Sequence, residues 1–320
     1  MVTYLENRRL KGFNTILVEL MEHFFSSNPP FNAYGDGPFL TPGDYATPNE
    51  AYFAQVEYIV SQAASRGMLV MLTPSYMGFN GGSEGWYQEM VANGATKLRT
   101  YGQYLGNRFK AYDNILWVDG GDYNPPEKLL LRAIANGIND VTPGSLQTFH
   151  GVRETSALAF ASGESWLNVN DIYTSESTVV SNAFTEYARS TMPFFLIEGR
   201  YEGETTGTEV VARAQGYQAS LSGASGHIYG NNPVWLFASG WQSALDAPGA
   251  ATLQYLKSLF DSLAWWTLTP DTGGTLLTSG VGTGSSRAAA ARASDGSFAV
   301  LYMPSSRTIA VNLGQLTGPN

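Results

Sequence analysis

The 320-residue chain has no cysteine and only three histidines. The first absence excludes disulfides, thiolate metal sites and a cysteine nucleophile, and leaves the compartment open. His23, His150 and His227 stand far apart, outside the HExxH spacing of a zinc helix. We therefore expect no metal and no cofactor. Basic residues are scarce, 18 against 27 acidic for a net charge of −9. That balance offers no footprint for nucleic acid. No apolar run reaches membrane-span length, and the opening MVTYLENRRLKGF lacks the apolar core of a signal peptide. Fixed-period repeats and low-complexity segments are also missing.

What is present is apolar and aromatic. Hydrophobic residues make up 43% of the chain, with 7 Trp, 18 Tyr and 16 Phe. That suffices for one barrel-sized domain with a small addition, or for two ordinary domains. The sharpest stretch is NILWVDGGDYN, Asn114 to Asn124. Ile115 to Val118 reads as a strand buried on both faces. The run breaks at Gly120-Gly121 and delivers a carboxylate, Asp122, just past its end. Phe194 to Ile197 is a second such run and ends at Glu198.

Around these two runs, strands and helices alternate. Thr3 to Glu6 reads as a capping box that starts a helix almost at Met1. Strands are expected at Thr15–Leu20, Met68–Leu72, Leu146–Phe149, Val169–Tyr173 and His227–Tyr229. Helices are expected at Phe53–Ala63, Tyr87–Phe109, Glu127–Asn139, Glu176–Arg189, Thr208–Ser222 and Ala251–Trp266. The count is one helix followed by seven strands, each with a helix after it except Leu146–Phe149. A (β/α)₈ TIM barrel needs eight of each, so the expectation is an α/β barrel over 1–270 that lacks its first strand. An open doubly wound sheet is the alternative. After Pro270 the texture becomes Gly/Thr/Ser-rich. Alternating runs at Ser297–Tyr302 and Thr308–Leu313 follow, joined as a hairpin through Pro304 to Arg307. Residues 271–320 read as the start of an incomplete, all-β sandwich-like domain.

In a barrel, functional groups gather at the carboxyl ends of the strands. Those ends carry Tyr76, Asp119, Asp122, His150, Tyr173, Glu198, Arg200, Tyr229 and Asn231, with Glu19 and Glu22 as weaker candidates. Two carboxylates among aromatic and amide side chains suit glycoside hydrolysis. In that reading Asp122 and Glu198 are catalytic. Tyr76, Trp86, Asn124, His150, Tyr173, Arg200, Tyr229, Asn231 and Trp235 bind substrate. Trp86, Trp235 and Trp241 offer rings for sugar faces. Each assignment has a structural rival: a strand-end carboxylate also caps loops, and loop tryptophans also pack. Asp119 competes with Asp122 as the acid, although its place inside the strand end favours burial. Glu202 and Glu204 follow the turn and read as solvated or ligand-orienting. Arg200 binds a substrate carboxylate or pairs with Glu202.

At these residues the chain resembles the apiosidase-like proteins, bacterial (β/α)₈ glycoside hydrolases of family 140 and their relatives. The matching pieces, in order, are YLENRRLKGFNTILVEL at Tyr4, NEAYFAQVEYIVSQAASRGMLVMLTPSY at Asn49 and NILWVDGGDYNP at Asn114. They continue with TFHG at Thr148, FLIEGRYEG at Phe195, GHIYGNNPVW at Gly226 and WQSALDAPGA at Trp241. The resemblance implies retaining hydrolysis, with Asp122 of the GGD motif as acid/base and Glu198 as nucleophile. It also implies an oligo- or polysaccharide substrate such as apiose-bearing pectin, an extracytoplasmic location and a small C-terminal β-domain. Two rivals remain: a catalytically silent carbohydrate-binding barrel of a surface protein, and a metal-dependent sugar isomerase barrel.

Overall fold

The computed structural model describes residues 1–189 and 191–318. Contacts divide the chain into two compact units, Met1–Asp171 and Ile172–Asn320.

The first unit opens with α1 (Val2–Leu10), β1 (Thr15–Glu19), α2 (Glu50–Ala64) and β2 (Leu69–Thr73). It continues through α3 (Tyr87–Phe109), β3 (Ile115–Gly120), α4 (Leu129–Val141) and β4 (Gln147–His150). β1, β2, β3 and β4 lie side by side in that order and run parallel, with Thr15 opposite Leu69, Val70 opposite Ile115 and Trp117 opposite Gln147. Side chains alternate between the faces of a strand, so each register row has a fixed face. Trp117 packs edge-on against Phe109 of α3, and the Gln147 amide donates to the Ala135 carbonyl of α4. Val118 and Thr148, one residue on, take the opposite face. Because all four strands are parallel, their carboxyl ends form one edge, and Glu19, Thr73, Gly120 and His150 stand on it.

Two local expectations change here. Helix α1 begins at Val2 with Met1 as its cap residue and no side-chain cap, so Thr3 and Glu6 form no capping box. The Glu6 carboxylate pairs with Arg9 and Arg66 instead. After β4 the chain also makes β5 (Thr155–Ser156) and α5 (Ala157–Ala161), too short to show any periodicity in sequence. Ser156 caps α5 by accepting the Ala159 N–H. β6 (Asn170–Tyr173) lies between β5 and β7 (Phe194–Glu198) in a separate three-stranded sheet.

In the second unit, α6 (Val179–Arg189), β7 and α7 (Glu209–Leu221) enclose Val179, Ala183, Phe194, Leu196 and Ala219. The strand expected at His227–Tyr229 is reduced to isolated parallel bridges, Leu196 to His227 and Glu202 to Asn231. With Gly226 and Gly230 on either side, the stretch is too short for a ladder. α8 (Trp241–Ala244) and α9 (Pro248–Asp261) follow. α9 starts on a proline at its first helical turn and ends before Trp265, where a 3₁₀ turn takes over.

The remaining strands are β8 (Leu268–Pro270), β9 (Leu277–Ser279), β10 (Ala289–Ala293), β11 (Ala299–Tyr302) and β12 (Ala310–Val311). The expected hairpin between the last two does not form: β11 pairs antiparallel with β10, and β12 pairs with β9. β10 is the sheet's central strand and is nearly all alanine, a composition that signals helix rather than strand. Alanine fits because both faces are covered. Ala289 and Ala291 meet Val180 and Leu221, while Ala288 and Ala290 meet Leu276 and Leu277. Tyr302 stacks on Tyr217 of α7 with ring centroids 4.2 Å apart. The architecture is α/β, of the (β/α)₈ type, with small antiparallel sheets after it. Among the described residues no helix is long and apolar enough to cross a membrane.

Candidate active site

The carboxyl edge of the first unit's sheet is built around Asp122. Gly120 and Gly121 both have positive φ, 94° and 124°, and each lies where a side chain cannot fit. A Cβ at Gly120 would stand 2.6 Å from the Phe149 ring, and one at Gly121 would stand 2.2 Å from the Tyr76 ring. The two glycines turn the chain sharply off β3 and hold it against β4, with the Gly121 N–H bonded to the His150 carbonyl at 2.7 Å. Asp122 itself has φ 50°, rare for a non-glycine residue. Its carbonyl accepts the Asn80 N–H, and its Oδ2 accepts the Tyr76 hydroxyl at 2.9 Å. A strained backbone over-determined by such bonds is typical of functional positions.

Tyr76 is buried, and its hydroxyl also lies 3.4 Å from Glu84 Oε1. Burial, and then the Asp122 charge and hydrogen bond beside it, push the phenol's pKa far up. A ligand atom of His150 lies within 4.8 Å of an Asp122 carboxylate oxygen. Asn124 points away from such chemistry: its amide oxygen accepts the Val152 N–H, and it packs where a Gly151 side chain would be. Asn124 therefore anchors the loop after β4.

Asp119 shares its face with Trp117, on the helix side of the sheet, and is 2% exposed. Burial raises its carboxyl well above the usual range, and Oδ2 has no hydrogen-bond partner. It belongs to the packing layer, whereas Asp122 lies past the end of β3. Trp86 is also internal. It is 3% exposed, its indole N–H donates to the Met21 carbonyl, and Phe39 and His23 pack edge-on against it. The expectation of a sugar platform fails there, because the ring is enclosed by core side chains.

In the second unit Glu198 ends β7, partly exposed, and its carbonyl accepts the Thr174 N–H at 3.1 Å. Tyr173, buried, ends β6 beside it. Arg200 follows Glu198 by two residues. Gln215 clamps its backbone from both sides, accepting its N–H at 2.6 Å and donating to its carbonyl at 2.9 Å. The guanidinium pairs with Glu176 at 3.4 Å and Glu204 at 3.8 Å, not with Glu202. Burial opposes ionisation of Glu176, but its own backbone N–H, the Thr206 hydroxyl and Arg200 together hold its carboxyl below the usual range. Glu176 stands just past β6 as Asp122 does past β3, so the same strand-end signal could have found it.

Glu202 departs most from its sequence reading. It is 6% exposed, not solvated. Oε1 accepts the Gly249 N–H at 2.8 Å and Oε2 accepts the Tyr229 hydroxyl. Tyr229 is thereby tied to a structural carboxylate, and Asn231 is buried next to it with its Oδ1 unpartnered. Trp235, edge-on to Tyr201, and Phe237, edge-on to Trp241, are each 40% exposed.

The fold and the family model together define a glycoside hydrolase. Residues 1–267 match the apiosidase-like catalytic domain, and the chain belongs to that family. No curated protein matches it. Among solved structures it is similar to a glycoside hydrolase family 5 protein from Bacteroides vulgatus ATCC 8482. That likeness has a TM-score of 0.84 at 23% identity, over 99% of this chain and 75% of the other. A second protein, described as a glycoside hydrolase, gives 0.83 at 22% identity over 99% and 78%. The endo-1,4-beta-D-mannanase of Thermotoga petrophila RKU-1 gives 0.56 at 10% identity over 81% and 95%. These likenesses establish the fold.

Proposed function

We propose that this protein is a retaining glycoside hydrolase of plant cell-wall or related glycans, with apiose-bearing pectin as the leading substrate class. Glu198 attacks the anomeric carbon while Asp122 protonates the departing oxygen. Water, deprotonated by Asp122, then releases the sugar from Glu198. Tyr173, His150, Asn231 and Trp235 complete the sugar's surroundings. The observation that carries this reading is Asp122 itself. It is a carboxylate held in a strained backbone at the carboxyl edge of a parallel sheet and fixed by a tyrosine hydroxyl. Family membership and the matching strand-end position of Glu198 add to it.

The test is hydrolysis of apiosylated pectic oligosaccharides and a panel of aryl glycosides, with the product anomer read by NMR. Wild-type protein should retain configuration, and Glu198→Ala should be inactive while folding normally. In Asp122→Ala, azide should restore turnover of an activated aryl glycoside. Glycan binding with no turnover of any substrate would instead identify a carbohydrate-binding barrel.

A further inference from the structure

Tyr76 reads in sequence as a sugar contact, but its surroundings give it a different task. Its backbone carbonyl accepts the Trp86 N–H at 2.8 Å, and its ring comes so close to Gly121 that a Cβ there would stand 2.2 Å from Cδ2. Buried and packed against Gly121, the ring holds its hydroxyl in place, and the hydroxyl hydrogen is the part that turns. That hydroxyl stands between two carboxylates, 2.9 Å from Asp122 Oδ2 and 3.4 Å from Glu84 Oε1. A phenol has one hydrogen to donate, so at any moment it serves one of them. Glu84 is held in place from the other side, where the same Oε1 accepts the Phe79 N–H at 2.7 Å.

We propose that Tyr76 is the positioning residue of Asp122, its hydroxyl turning from Glu84 to Asp122 as Asp122 passes from acid to carboxylate. This rests on the acid/base assignment proposed above. When Asp122 is ionised, the hydroxyl donates to Oδ2 and stabilises the charge. When Asp122 carries the proton, Oδ2 becomes a weaker acceptor and the charged Glu84 competes for the hydrogen. The phenol keeps its own proton in both halves of the reaction, so no net proton is exchanged with Tyr76 or Glu84.

The ionisable groups around this pair are Glu84, Glu19, whose charge reaches Tyr76, and His150 beside Asp122. In the reaction as proposed, Glu198 joins them. Two substitutions move the balance in opposite directions. Tyr76→Phe removes the bond that favours the carboxylate, so Asp122 stays protonated to higher pH. Glu84→Gln removes a nearby negative charge and leaves a weaker, neutral acceptor for the hydroxyl, so Asp122 loses its proton at lower pH.

The experiment is the pH dependence of kcat/KM for wild type, Tyr76→Phe, Glu84→Gln and Asp122→Asn, each checked for folding by circular dichroism. The alkaline limb should rise by about one pH unit in Tyr76→Phe and fall in Glu84→Gln. kcat should drop more than KM changes in Tyr76→Phe, because the carboxylate that activates water loses its support. An unmoved limb in a folded Tyr76→Phe, with activity lowered equally at all pH values, overturns the proposal. So does an unmoved limb in Glu84→Gln, which decides the matter if Tyr76→Phe does not fold. Full activity in Asp122→Asn would instead sink the acid/base reading itself, so the two failures are separable.

Discussion

The Glu202 carboxylate accepts the backbone N–H of Gly249, 2.8 Å away, in the first turn of α9. α9 has no side-chain cap at Ala247, so this carboxylate, 45 or so residues earlier in sequence, does the capping from a distance. Helix N-termini favour negative charge, and Gly249 is the residue that admits it: a Cβ there would stand 2.3 Å from Glu202 Oε2. Glu202→Ala leaves the Gly249 N–H and the Tyr229 hydroxyl without their acceptor. The expected loss is about 3 kcal/mol of unfolding free energy, read from urea denaturation. Glu202→Gln, which keeps an acceptor oxygen, should lose less.

The GGD turn makes a second case for shape over chemistry. Gly121→Ala meets both a forbidden backbone angle and the Tyr76 ring, so it should cost about 3 kcal/mol or more and displace Asp122. Gly144→Ala is the control. Its φ is 81°, but nothing lies within 4 Å of the added carbon. It should cost about 1 kcal/mol and leave activity unchanged. Equal thermal shifts in the two variants would contradict this account.

His227 predicts a pH dependence of stability. It is partly buried, with its ring packed against Gly216 of α7 and its Nε2 enclosed, and desolvation pushes its pKa from 6.5 down to about 4. In the unfolded chain it takes up a proton below about 6.5, whereas in the native protein it stays neutral until about 4. The native state is therefore at full advantage above pH 6.5 and loses about 3 kcal/mol as pH falls to 4. Urea midpoints at pH 7 and pH 4.5 should differ more for wild type than for His227→Gln.

Arg200 should matter little to substrate binding, because its guanidinium is engaged by Glu176 and Glu204 and its backbone by Gln215. In Arg200→Gln the expected stability change is below about 1 kcal/mol, since the ion pairs are partly exposed. KM should change less than threefold or so, on the same reasoning.

Trp86→Ala separates packing from binding in the same way. Removing a 3%-exposed indole from the Phe39–Tyr45–His23 cluster should cost about 4 kcal/mol. The milder Trp86→Phe should keep its glycan affinity, measured by calorimetry with oligosaccharide.

Local pattern alone determined much of this protein. The strand–helix alternation, the bounds of β7 and α3, and a carboxylate after each of two buried runs follow from spacing within a few residues. The departure at Gly120-Gly121 was equally local, since only glycine accepts those angles. What the sequence could not carry was the choice of partners. Glu202, Arg200, Tyr76 and Trp86 are polar or aromatic residues near strand ends, and each reads equally well as ligand contact or scaffold. Their roles were decided by groups brought from elsewhere in the chain: Gly249, Glu176, Asp122 and Met21. The same holds for β10, whose alanines make a strand only because side chains before and after them in sequence close over both faces. Backbone periodicity is a short-range property, whereas burial and hydrogen-bond pairing arise only once distant segments meet.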